Sequence, residues 1–262
     1  FRAFNPWVSF VASWLLMLDY IVTMSISAFT AANYLGYFSP AIQQWPINSI
    51  AGIIVVVVLT IVNIQGVRSS SRLNIALVII DILTQVSIVV LGLLMIINIP
   101  QLIKNVHWGI APTLQQLLFG ISISMIAYTG IETVANLGSE ARAPEKSIPR
   151  SVIIVFVIVI LLYGFLSMTA LSAYPVYQST SGQWVTDLTR YFLEDPIMGI
   201  ANVLPEYIRP YLSFWVAVLA VTILIIATNA GMLGASRLAY FMGQRQQLPG
   251  VISKVSARAR VP

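Results

Sequence analysis

The sequence contains no cysteine. That excludes disulfides, thiolate nucleophiles and cysteine-based metal sites. His107 is the only histidine, so a multi-histidine metal centre is excluded as well. Charge is scarce too: 9% of the 262 residues are Asp, Glu, Lys or Arg, against roughly 25% in soluble domains. The 58% that are apolar fall into long runs, which defines a polytopic membrane protein. The net charge of +5 comes from basic residues dispersed between those runs, with no basic face. This argues against nucleic acid and for membrane topology and contact with anionic lipid. No nucleophile–base pair, phosphate loop or metal cluster stands out, so neither an enzyme nor a cofactor is expected. Phe1 is not a start residue, and Arg2 leads directly into a full span. The sequence is therefore expected to begin inside a larger protein.

The apolar runs predict an all-α polytopic helix bundle, a single but partial transmembrane domain over 1–262. Six spans are expected, at about 7–35, 47–66, 74–99, 113–138, 150–173 and 211–242. The first carries Asp19 near its middle, which reads as a packing and hydrogen-bonding residue or as a coupling site. The third carries Asp81, Thr84 and Gln85 at i, i+3 and i+4, read as an interhelical hydrogen-bond stripe. Ser147 is a candidate cap for the fifth span, with Pro149 in its first turn. The long polar stretch 174–209 is expected to be an ordered loop, with a short amphipathic helix within Val185 to Phe192.

The fourth span is wrong for a plain lipid-facing helix. It reads Ile126-Ala127-Tyr128-Thr129-Gly130-Ile131-Glu132. Thr129 and Gly130 are weak helix formers, and Gly130 costs about 1 kcal/mol against Ala. A carboxylate within a span costs at least ~2.5 kcal/mol, so Glu132 should face protein or a water-filled cavity. A helix broken near 126–130 exposes backbone donors and acceptors to a substrate, as many secondary transporters do. A kinked helix with a buried, protonated Glu132 fits the same spacing.

Basic residues orient the spans. With the start of the chain inside, eleven of the fourteen Lys and Arg lie on inner segments. Only Lys104, Arg190 and Arg209 lie outside. By the positive-inside rule the start is cytoplasmic and 174–209 is an extracellular loop.

Three motifs resemble the amino acid–polyamine–organocation superfamily of permeases. Tyr128-Thr129-Gly130-Ile131-Glu132, followed by Glu140 to Arg150 with its Ile148-Pro149-Arg150, is similar to the family's sixth helix and the loop after it. Trp14 and Leu18-Asp19-Tyr20 resemble the third helix. Gly234-Ala235-Ser236-Arg237-Leu238-Ala239-Tyr240, then Leu248-Pro249, resembles the eighth. The sequence departs from the family at Ala143-Pro144, where Asn-Pro is usual, and at Gly243 to Gln247.

The resemblance implies a five-plus-five inverted-repeat transporter fold, of which this chain looks like helices three to eight. It implies secondary active transport of an amino acid, or a related organic cation such as a polyamine, across the plasma (inner) membrane. It would run by alternating access through proton symport or exchange, with sodium symport also left open. Carbonyls at Ile126, Ala127, Tyr128, Thr129 and Gly130 would bind the substrate ammonium, with Tyr128 as a gate aromatic. Ser13, Met17 and Asn229 would line the pocket. Glu132 and Asp19 are the coupling or gating candidates. The substrate carboxylate would go to a first helix absent from this sequence, so the missing helices of the same chain are expected partners. The fragment alone is not expected to transport. An amino-acid sensor on a transporter scaffold and a truncated, inactive permease remain as alternatives.

Overall fold

The fold was analysed in a computed structural model, which describes residues 5–64, 71–105, 112–125, 143–180, 182 and 184–253. Five helices in it are long and apolar enough to cross a membrane. These are α1 (Pro6–Leu35), α2 (Ile47–Ile64), α3 (Ser71–Met95, membrane-length from Ile75), α6 (Pro144–Ala173) and α9 (Arg209–Gln244). Among the described residues between α3 and α6 are two shorter helices, α4 (Ile99–Asn105) and α5 (Leu114–Ser124). After α6 come strands β1 (Tyr177–Gln178) and β2 (Trp184–Val185), then helices α7 (Asp187–Tyr191) and α8 (Pro196–Val203). The chain divides into two compact units, Phe1–Ile75 with Val221–Pro262, and Ala76–Ala220.

The first unit is built on close backbone approach. α1 starts where the Asn5 side chain accepts a bond from the Trp7 N–H at 3.2 Å, with Pro6 in the first turn. Its 30 residues make it about 45 Å long, well beyond the hydrocarbon core. Its buried face is rich in small residues: Ser27, Ala28, Ala31 and Ala32. There α2 lies on it so closely that a Cβ on Gly52 would sit 3.3 Å from the Phe29 Cα. Small residues permit this where lipid supplies no hydrophobic drive between helices. The turn joining them is pinned by Gln43, whose Nε2 donates to the Asn33 carbonyl at 3.2 Å. On α9, Gly234 seats against the ring of Tyr20, and Gly231 against Met24.

In the second unit, Gly92 of α3 lies directly against Thr169 of α6, which is fully buried. The Asn98 N–H, just beyond α3, donates to Ser172 Oγ at 3.4 Å. The segment after α6 is ordered by its own side chains. Tyr177 pairs with Val185 and Gln178 with Trp184 in an antiparallel hairpin. Thr186 Oγ1 donates to the Tyr174 carbonyl at 2.8 Å and accepts from the Leu188 N–H, capping α7. Tyr174 Oη donates to the Gly199 carbonyl at 3.1 Å, tying down α8. The short helix expected within Val185 to Phe192 is α7, at Asp187–Tyr191.

Two expectations are corrected. The helix containing the fifth span begins at Pro144, with Ala143 as its N-cap and no side-chain cap bond. Ser147 is inside it. Pro144 has its φ preset for a first helical position, and Glu145 favours the positive helix start, so the helix nucleates earlier than Ser147. The polar stripe on α3 bonds within its own helix: Gln85 Nε2 donates to Asp81 Oδ2 at 2.7 Å, and Thr84 Oγ1 to the Ile80 carbonyl at 2.9 Å. One helical turn brings these groups together before any neighbour is needed.

Candidate functional site

Ile126, Ala127, Tyr128, Thr129, Gly130 and Glu132 lie outside the described residues. The approach to them is α5. Thr113 and Gln116 form a reciprocal capping box: Gln116 Oε1 accepts from the Thr113 N–H at 2.9 Å, and Thr113 Oγ1 from the Gln116 N–H at 3.3 Å. Gln116, Gly120 and Ser124 follow one another at four-residue spacing, so they form one stripe. With Leu117 and Ile121 they line a cleft of about 610 Å³ that runs to Met125. A Cβ on Gly120 would meet nothing within 4 Å, so the middle of the stripe is open. The Ser124 hydroxyl donates to the Gly120 carbonyl of its own helix at 2.8 Å.

The remaining candidates belong to the first unit. Ser13 and Met17 are half-buried, one turn apart on α1. They continue into Tyr20 and Met24, the residues that meet Gly234 and Gly231 of α9. Ser13 Oγ donates to the Ser9 carbonyl at 2.8 Å. Asp19 is also half-buried. It lies about 200° round the helix from Met17, so it is on a different face. Asn229 turns toward α2, where its Oδ1 accepts from Asn63 Nδ2 at 2.7 Å. The structure thus aligns Ser13 with Met17 but directs Asn229 to a partner on another helix. The sequence reading missed Asn63. Its signal was an amide near the end of α2, three residues after Thr60 and beyond a run of apolar residues.

Among the described residues no group of three His, Asp or Glu could hold a metal ion. Outside the spans, burial and then the neighbouring Glu194 push the Asp195 carboxyl above its ordinary value. Tyr177 Oη donates to Asp187 Oδ1 at 2.7 Å, and this bond, which favours the protonated phenol, pushes Tyr177 up.

Five helices of membrane length, with the family match, make this a multi-pass membrane protein. The chain belongs to the amino acid permease family, which it matches over residues 2–262. That family consists of membrane transporters and not enzymes, as the resemblance implied. Among its relatives is a D-serine/D-alanine/glycine transporter of Escherichia coli K12, 23% identical, with 97% of this chain and 53% of the relative covered. The branched-chain amino acid permease BcaP of Lactococcus lactis is 23% identical, with 97% and 55% covered. A methylthioribose transporter of Bacillus subtilis is also 23% identical, with 97% and 54% covered. The chain spans about half the length of the curated relatives it matches.

Proposed function

We propose that these residues form helices three to eight of an inverted-repeat permease that carries an amino acid across the plasma membrane by alternating access. The observation that carries this reading is the family match over residues 2–262, joined to five membrane-length helices. Amino acids are the substrate class named for two of the three relatives above. The methylthioribose relative makes the substrate a matter for direct testing. The basic residues support a cytoplasmic start and an extracellular 174–209.

In this reading the helix breaks at Ile126 to Gly130. Its freed carbonyls accept bonds from the substrate ammonium, with Tyr128 beside it. The substrate carboxylate is held by a helix of the same polypeptide outside these 262 residues, where free N–H groups and the helix dipole favour negative charge. Ser13 and Met17 line the pocket from α1. Asn229 contributes from α9 through an orientation set by Asn63. Glu132 and Asp19 couple or gate, and protonation of Glu132 biases the inner gate.

The test is labelled amino-acid uptake into liposomes by the full-length polypeptide, with and without an inward proton gradient. Stimulation by the gradient means symport. Uptake that needs internal amino acid means exchange. Glu132→Gln is expected to flatten the pH dependence of uptake, and an unchanged profile removes Glu132 from coupling.

A further inference from the structure

Asp81 is an acid placed within a membrane-length helix. It lies in the membrane-length stretch Ile75–Met95, where it is the only ionisable residue. At about 1.5 Å per residue it sits roughly 9 Å along the axis from Ile75. It is half-buried. It shares a helix face with Gln85, Ile88 and Gly92, at spacings of four, seven and eleven residues. Further along that face Ile88 is 1% exposed and Gly92 seats on Thr169, so the face turns to protein and not to lipid.

Among the described residues of its own unit, no span brings a cation. α6, which meets α3 at Thr169, has no ionisable residue but Tyr163 from Ser151 to Ala173, and the part of α9 in that unit has none from Leu212 to Ala220. The hydrogen-bond partner of Asp81 is the Gln85 amide, at 2.7 Å. A carboxylate inside a span costs at least ~2.5 kcal/mol and is normally paired or functional. Among the described residues of its unit no cation within a span neutralises it, which leaves its charge open to a mobile ion.

The chemistry of the pair selects the proton. A metal cation needs several oxygen ligands. Among the described residues this face of α3 offers one carboxylate and one amide, and the hydroxyls of Thr84 and Ser87 turn to the carbonyls of Ile80 and Leu83. A glutamine, unlike a lysine, bonds either state of a carboxyl. Its Nε2 donates to the carboxylate, and after half a turn of the amide its Oε1 accepts from the acid. We propose that Asp81 is a proton-binding site of this transporter, with Gln85 as the positioning residue that switches its amide between the two states. The proton adds to an Asp81 carboxylate oxygen from hydronium, leaving water, and returns to water on release.

The proposal rests on the transporter reading, and the test separates them. The full-length protein in lipid bilayers is titrated with acid while infrared difference spectra are recorded. A carboxylic-acid C=O band is expected to grow as pH falls, to be lost in Asp81→Asn and to persist with a shifted midpoint in Asp81→Glu. Gln85→Leu is expected to move the midpoint of the native band. In liposomes, the ratio of uptake with a proton gradient to uptake without it should fall to one in Asp81→Asn and stay above one in Asp81→Glu. No Asp81-dependent band, or a gradient ratio unchanged in Asp81→Asn, overturns the proposal. So does a sodium dependence lost with Asp81 in the absence of the band. An unmoved midpoint in Gln85→Leu overturns the switching role. If the band behaves as expected but the native protein transports nothing, the transporter reading fails and the proton site stands.

Discussion

Gly234 of α9 presents its bare Cα to the ring of Tyr20 on α1. A Cβ there would lie 2.8 Å from the Tyr20 Cζ, and Tyr20 is 1% exposed. These residues come from two of the motifs that carry the family resemblance, so the motifs meet as a packing contact.

That contact predicts a graded pair of variants. Gly234→Ala drives a methyl into a rigid, buried ring and should destabilise by roughly 1–3 kcal/mol. Gly231→Ala faces Met24 Cγ at 2.7 Å, but methionine has three rotatable bonds and can yield. It should cost clearly less. Thermal unfolding of the two purified variants in detergent checks the order. Equal losses would contradict the assignment of the rigid contact to Tyr20.

Asn63 and Asn229 should be coupled energetically. Hydrogen bonds between spans average about 0.6 kcal/mol and reach about 1.7 in double-mutant cycles. Asn63→Ala, Asn229→Ala and the double variant should show a coupling of that order in unfolding free energy. If Asn229 acts on substrate through its orientation, Asn63→Ala should also weaken substrate binding. A cycle that closes at zero would sink the coupling.

The segment after α6 should respond to pH through Asp195. Its carboxyl is pushed up by burial and then by Glu194, so the folded state holds this proton more tightly than the unfolded chain does. The stability this confers is fully present below the ordinary carboxylate value and is lost as pH rises through the raised value. The N–H groups of Met198 and Gly199 donate to the Asp195 carbonyl at 2.9 and 3.2 Å, so α8 reports on it. Asp195→Asn should slow hydrogen exchange in α8 at neutral pH and leave it unchanged in acid, after correction for intrinsic rates. Faster exchange at neutral pH would reverse the sign of the argument.

What could be read from the sequence follows from length and period. Runs such as Val55-Val56-Val57-Val58 are helical because a span must satisfy its own backbone, and that physics is local. The start of α6 was harder to place, because Ser147 with Pro149 also resembles a capped start, three residues inside the helix that begins at Pro144. The stripe at Asp81, Thr84 and Gln85 was legible as a face but not as intrahelical bonding. Asn229 was legible as polar, whereas its turn toward Asn63 depends on residues 166 positions apart. Glu132 and the weak helix formers Thr129 and Gly130 are signals of composition, and their geometry lies outside the described residues.

The central claim is that the protein moves amino acids and does not merely bind them. Solute counterflow tests this most directly. Liposomes carrying the full-length polypeptide are loaded with an unlabelled amino acid, and a trace of the labelled one is added outside with no ion gradient. The account predicts transient accumulation of label above equilibrium, abolished by competing external substrate. Saturable binding without accumulation, across glycine, D-serine and the branched-chain amino acids, would contradict transport and favour a sensor.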